Sequence, residues 1–142
     1  MIQGARKGSN FYRPLQSFTH GVDYILWKDK PQGHHAFNVL FHILAAIAAY
    51  MMLKAVFSKE ASFLAALFFA VHPVHTEVIT YISGRSEPMA AFFILLAILS
   101  YSKNRVLSCI SFTCAVLSKE SSIIAPFLII FYSYFSTQKL TI

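Results

Sequence analysis

The stretch AFNVLFHILAAIAAYMMLKAVF, from Ala36 to Phe57, contains one charge, Lys54, close to its end. Coiled as a helix at ~1.5 Å per residue, it can cross a hydrocarbon core of about 30 Å. Lys54 can snorkel from that position. The rest of the chain repeats the theme in shorter apolar blocks: Ala61 to Val71, Ser86 to Tyr101, Val106 to Leu117 and Ser121 to Phe135. Apolar residues that arrive in blocks, not in alternation, argue for helices over half-buried strands. The chain is 56% hydrophobic and 13% charged, whereas soluble domains carry roughly 25% charge. Too little polar surface exists to cover a soluble body. The expectation is an all-α, polytopic membrane protein. It would have about five membrane segments, some of them short broken helices, and an N-terminal extracytoplasmic loop. Residues 1–35 form that loop and 36–142 the transmembrane domain in this division.

Charge assigns partners and sides. The net charge is +6, but the Lys and Arg lie scattered between apolar blocks. No basic stripe interleaved with aromatics is present, so nucleic acid is not an expected partner. Membrane lipids with anionic phosphates account for the excess better. The turns fall into two groups. One holds Lys59, Lys103, Arg105 and Lys139, and the positive-inside rule places it in the cytoplasm. The other, His72 to Glu87 with Ser118 to Glu120, then lies on the extracytoplasmic or luminal side together with the N-terminal loop. Within that loop, Leu15 to Trp27 is amphipathic, and Phe18, Tyr24 and Trp27 suit the headgroup zone. No apolar leader is visible in the first 35 residues. The two cysteines, Cys109 and Cys114, are five apart inside an apolar block and form no CxxC pair.

The chemistry-capable residues away from the cytoplasmic turns occupy three places. These are the N-terminal loop (Arg13, His20, Asp23, His34, His35), the His72 to Glu87 segment, and Ser118-Lys119-Glu120. Arg85 stands between Gly84, read as a helix stop, and Ser86, read as an N-cap. A cation beside a free helix start is an anion site suited to phosphate. A turn arginine paired with Glu77 or Glu87 is an equal alternative. His72, His75 and Glu77 lie within six residues, but Pro73 interrupts the regular spacing that helical zinc motifs use. Histidines bonded to a helix end or a substrate are preferred. No metal or other cofactor is assigned, with a divalent cation as the lesser alternative. Glu77 suits a base or a sugar-hydroxyl acceptor, or else pairs with Arg85 or Lys119. His42 reads as a packed helix histidine. Ser118-Lys119-Glu120 on its own reads as a solvated turn.

Four stretches taken together carry more. YRPL (Tyr12 to Leu15), GHHAFNVLFH (Gly33 to His42), ALFFAVHPVHTEVITYISGRSE (Ala66 to Glu87) and LSKESS (Leu117 to Ser122) occur in this order. The set resembles the GT-C integral-membrane glycosyltransferases. Within them it is most similar to the O-mannosyltransferase-like proteins with transmembrane segments and tetratricopeptide repeats. The resemblance covers about residues 12 to 126, and HPVHTE with YISGRSE is its most specific part. It implies transfer of a sugar, mannose-type, from a polyprenyl-phosphate-linked donor to a protein hydroxyl on the outer or luminal side. By that analogy Arg13, Arg85 and Lys119 approach the lipid phosphate. His72, His75, Glu77 and Glu120 lie near the sugar or acceptor, with Glu77 and Glu120 as catalytic candidates. The family's acidic motif follows its first membrane helix and would fall before Met1. The chain is therefore expected to be an internal piece of the membrane core, inactive alone. The alternative is a non-catalytic membrane subunit of a larger complex, derived from such an enzyme. A small transporter or metal carrier explains YRPL and SKE less well.

Overall fold

A computed structural model describes residues 12–28 and 30–139, with the side chains of 77–79, 82 and 136–139 outside the description. Every regular element among the described residues is helical. Two helices come from the stretch expected as a loop and its continuation. Helix α1 spans Pro14–Trp27 and α2 spans Pro31–Lys54, each with proline at its first turn. There the missing N–H costs nothing and the fixed φ is already helical. Between them the chain turns at Lys28, whose φ of 52° is left-handed and whose N–H bonds the Tyr24 carbonyl at 2.9 Å. Gly33 makes the corner fit: a Cβ there would lie 2.2 Å from the Trp27 ring. The amphipathic segment of the first 35 residues is thus a helix, and the long apolar helix begins at Pro31, not at Ala36.

The turns that follow are capped as their sequences suggest. Helix α3 is Lys59–Val71, with Ser58 Oγ accepting from the Ala61 N–H at 3.3 Å. It stops at His72, which adopts the extended backbone favoured before Pro73. Helix α4 is Val74–Thr80, and His72 Nδ1 accepts the Val74 N–H at 3.2 Å. Helix α5 is Ser86–Tyr101. Helix α6 is Arg105–Ser118, capped by Asn104 Oδ1 on the Leu107 N–H at 3.1 Å. Helix α7 is Ala125–Lys139 and carries Pro126 in its first turn, where it breaks nothing. The expected apolar segments correspond to α2, α3, α5, α6 and α7. Among the described residues, α2 alone is long and apolar enough to cross a membrane.

One expectation fails. Gly84 and Ser86 were to stop one helix and start another. Instead Ile82–Arg85 is a 3-10 turn that runs into α5, and Arg85 keeps right-handed helical backbone. The start of α5 is therefore not an exposed set of free N–H groups. Ser86 does not cap it; its hydroxyl accepts from Arg13 Nη1 at 3.2 Å.

Helix α5 is the central strut, packed on α2, α6 and α7. The buried surfaces are small: Ala45, Ala48, Ala49, Ala90, Ala97, Ala115 and Ala125, joined by Ser62, Ser100, Ser108, Ser111, Ser118 and Ser122. Such residues let backbones approach closely, and their hydroxyls bond across or back along helices. Ser108 Oγ, on α6, donates to the Ala97 carbonyl of α5 at 2.7 Å. Met89, Ile98 and Ile129 are buried with the small residues, but most large apolar side chains point the other way. Val106, Ile123, Phe127, Ile130 and Phe131 are exposed, as are Phe63, Leu64 and Phe68.

Candidate functional site

The residues of the three polar clusters meet at one end of the bundle. Arg13, just before α1, forks onto Glu120 with Nε–Oε2 at 3.1 Å and Nη2–Oε1 at 2.8 Å. These partners are 107 residues apart in the chain. The same guanidinium reaches Ser86 at the head of α5. Gln16 donates to the Ser83 carbonyl at 2.9 Å, tying α1 to the turn before α5. Lys119 pairs with Glu87. Arg13, Ser86, Glu87, Lys119 and Glu120 thus form one rim.

Arg13 holds the Glu120 carboxyl at a pKa of about 2, chiefly through their hydrogen bonds. A depressed acid contributes stability above its ordinary range and loses it as pH falls through the folded value. The Arg13–Glu120 link is therefore expected to persist at pH 4 and to open only as pH approaches about 2. Carbon-detected NMR of the Glu120 carboxyl checks this, and Arg13→Gln should return its midpoint toward the ordinary carboxylate range. A wild-type midpoint already in that range would contradict the link. So low a pKa also makes Glu120 a poor proton acceptor near neutral pH.

Arg85 is elsewhere. It is fully buried, and its Nη2 pairs with the equally buried Asp23 of α1. Its Nε donates to Asn38 Oδ1 at 3.0 Å and its Nη2 to the His34 carbonyl at 3.0 Å. The Phe37 ring lies 5.5 Å from its guanidinium carbon. Asn38 Nδ2 in turn donates to the Tyr81 carbonyl at 2.9 Å. This arginine joins α1 and α2 to the turn before α5, and among the described residues its carboxylate partner is Asp23, not Glu87. Asp23 and Asn38 supply the charge and hydrogen bonds that let an arginine sit out of water.

His34 Nδ1 is 3.1 Å from the same Asp23 oxygen, and the His20 ring is 6.1 Å from the His34 ring. Burial, then the Arg85 charge, push the His20 pKa down. Ligand atoms of His20, Asp23 and His34 lie within 4.8 Å of one another, a set able in outline to hold a metal ion. The guanidinium of Arg85 already supplies the cation for Asp23, and a divalent ion would be placed against it.

Beside the rim lies a cavity of about 210 Å³ lined by His42, Phe69, His75, Glu87 and small residues. His42 stacks on Phe69, at 5.5 Å, and its Nε2 faces the Ala70 carbonyl at 3.0 Å. His75 lies 5.1 Å from His42 and 6.2 Å from His72. Burial and the two neighbouring imidazoles lower the His75 pKa, so the ring stays neutral and able to accept a hydrogen bond. The expected residues divide accordingly. Arg13, Lys119 and Glu120 share the rim, His75 lines the cavity beside it and His72 lies next to His75, while Arg85 is interior. Glu77 lies on α4, and its side chain is outside the described residues. Three residues not singled out for the site by sequence matter here. Glu87 lines the cavity, while Asp23 and Asn38 hold Arg85. The sequence places Asp23 among the chemistry-capable residues of the N-terminal stretch, without a partner.

No family model matches the chain. Curated relatives do. Over 92% of its length it is 34% identical to mouse protein O-mannosyl-transferase TMTC3, and over 88% it is 34% identical to human protein O-mannosyl-transferase TMTC1. The human TMTC3 protein is 37% identical over 66% of the chain. The chain is similar to the TMTC protein O-mannosyl-transferases. It spans about 15% of the mouse TMTC3 protein and about 16% of human TMTC1. No solved structure matches. The match to mouse TMTC3, over 92% of the chain, is long enough to take in both the rim and the buried Arg85 network.

Proposed function

We propose that the chain forms part of the membrane core of a GT-C-type protein O-mannosyltransferase, with its rim facing the lumen or exterior. The donor is a polyprenyl-phosphate-linked sugar, and Arg13 and Lys119 receive its phosphate. The neighbouring His42–Phe69–His75–Glu87 cavity receives the sugar, with His72 at its edge. The observation that carries this is the Arg13–Glu120 and Lys119–Glu87 pairing, which gathers residues far apart in the chain beside one small cavity that offers His75 and Glu87. A guanidinium fork suits phosphate oxygens, and an ammonium adds a mobile point charge. The TMTC relatives support a mannose-type transferase reading. Buried serines and an apolar exterior support helices packed in lipid, not in water.

In this proposal Glu120 orients Arg13, and Arg85 supports the site by locking α1 against α2 and α5. Glu77 remains the acceptor-side carboxylate proposed from its place in HPVHTE. The test is binding of sugar-free polyprenyl phosphate to the chain in nanodiscs of neutral phospholipid. Arg13→Gln removes a charge-assisted fork and leaves Glu120 to repel the phosphate. It is expected to weaken binding about tenfold or more. Equal binding by wild type and variant would remove the phosphate role of the rim.

A further inference from the structure

We infer that Glu87 is the carboxylate that recognises the sugar, and that Lys119 holds it in reserve until a phosphate draws the ammonium away. This rests on the lipid-phosphosugar reading of the rim.

The other described carboxylates near the site are committed. Asp23 is fully buried against Arg85. Glu120 is chelated by two nitrogens of Arg13, which also holds its pKa low. Glu87 differs in both position and partner. It lines the cavity with Phe69 and His75, and its partner is one ammonium. An ammonium is a compact charge on a flexible stem and can exchange one anion for another. Both side chains remain open to that exchange, with Glu87 47% and Lys119 22% accessible.

The cavity itself limits the ligand. About 210 Å³ is below the roughly 300–1,000 Å³ of sites for drug-sized molecules. It suits a single sugar ring, not an oligosaccharide. Phe69 offers an apolar face for the ring's C–H groups, while neutral His75 and Glu87 accept from hydroxyls. When a phosphodiester takes Lys119, the Glu87 carboxylate loses its cation at the moment the attached sugar arrives. Sugar recognition is thereby tied to the presence of the phosphate.

The experiment compares two probes, a polyprenyl-phosphate-linked hexose and the same polyprenyl phosphate without sugar, on the chain in neutral nanodiscs. Wild type should prefer the sugar-linked probe. Glu87→Gln should cut that preference about tenfold, while the sugar-free probe, whose phosphate no longer competes with Glu87 for Lys119, should bind at least as tightly as to wild type. The charge-swapped double variant Glu87→Lys with Lys119→Glu keeps an ion pair, so helicity and melting should match wild type while the sugar preference disappears. The inference is overturned if Glu87→Gln keeps the preference, if it weakens the sugar-free probe, if the swap keeps the preference, or if wild type shows no preference. Failure of wild type to bind either probe would instead remove the underlying reading, and this inference with it.

Discussion

Asp23→Ala should destabilise the protein by about 3–5 kcal/mol, the largest effect expected of any single change, because it strands a buried guanidinium. Total stabilities of folded domains are about 5–15 kcal/mol, so such a loss is a large share. Arg85 is 0% exposed, and Asp23 is its one carboxylate partner among the described residues. The Asn38 and His34 oxygens would remain, but neither carries the compensating charge. Asp23 fastens α1 to the bundle through Arg85. The helix's loosening can be followed through the chain's single tryptophan, Trp27 at the end of α1, whose ring lies against Gly33. Denaturant titration in micelles, read by Trp27 fluorescence, measures the loss. The double variant Asp23→Leu with Arg85→Leu should recover most of it, since replacing a whole buried pair by apolar groups is often neutral. A double variant as unstable as Asp23→Ala would show that the ion pair is not the cause.

Asn38→Ala should cost about 3 kcal/mol through a different route, the loss of a bridge with one hydrogen bond to a charge. Asn38 is fully buried on α2. Its Oδ1 takes the Arg85 Nε–H, and its Nδ2 serves the Tyr81 carbonyl at the turn before α5. Alanine removes both: the buried Arg85 loses this acceptor for its Nε–H, while the Tyr81 carbonyl keeps the Gly84 N–H at 3.0 Å. Asn38→Leu preserves volume and isolates the polar contribution. Both variants should unfold at clearly lower denaturant, with proteolysis first appearing near 81–85. Stability within about 0.5 kcal/mol of wild type, the usual range for surface changes, would show that Asn38 does not carry the Arg85 network.

Particular residues show what was legible beforehand. The caps at Ser58 and Asn104 and the stop before Pro73 follow from local backbone chemistry, which needs no tertiary knowledge. The blocks that became α2, α3, α5, α6 and α7 were equally readable, because apolar runs of that length have few other ways to satisfy their backbones. The stretch before α2 was harder. Residues 1–35 were expected to be loop, yet Gly21 sits in α1 with open space around it and Gly33 is needed for Trp27 to close the α1–α2 corner. Arg85 was misjudged for the same kind of reason. A Gly-Arg-Ser sequence describes a turn, but whether its arginine faces water depends on which helix covers it.

The sequence by itself determined that this protein is built from helices, where most of them begin and end, and which polar clusters were available for chemistry. Those properties depend on neighbours within a few residues. Only the tertiary structure decided how the charges pair: Arg85 with Asp23 across 62 positions, Arg13 with Glu120 across 107, Lys119 with Glu87 across 32. Pairing energy depends on distance and burial, and both are set by packing: α1 over the end of the bundle for the two arginines, α5 against α6 for Lys119 and Glu87. That packing turned the most conspicuous cation of the sequence into an interior strut and left Arg13 and Lys119 at the rim.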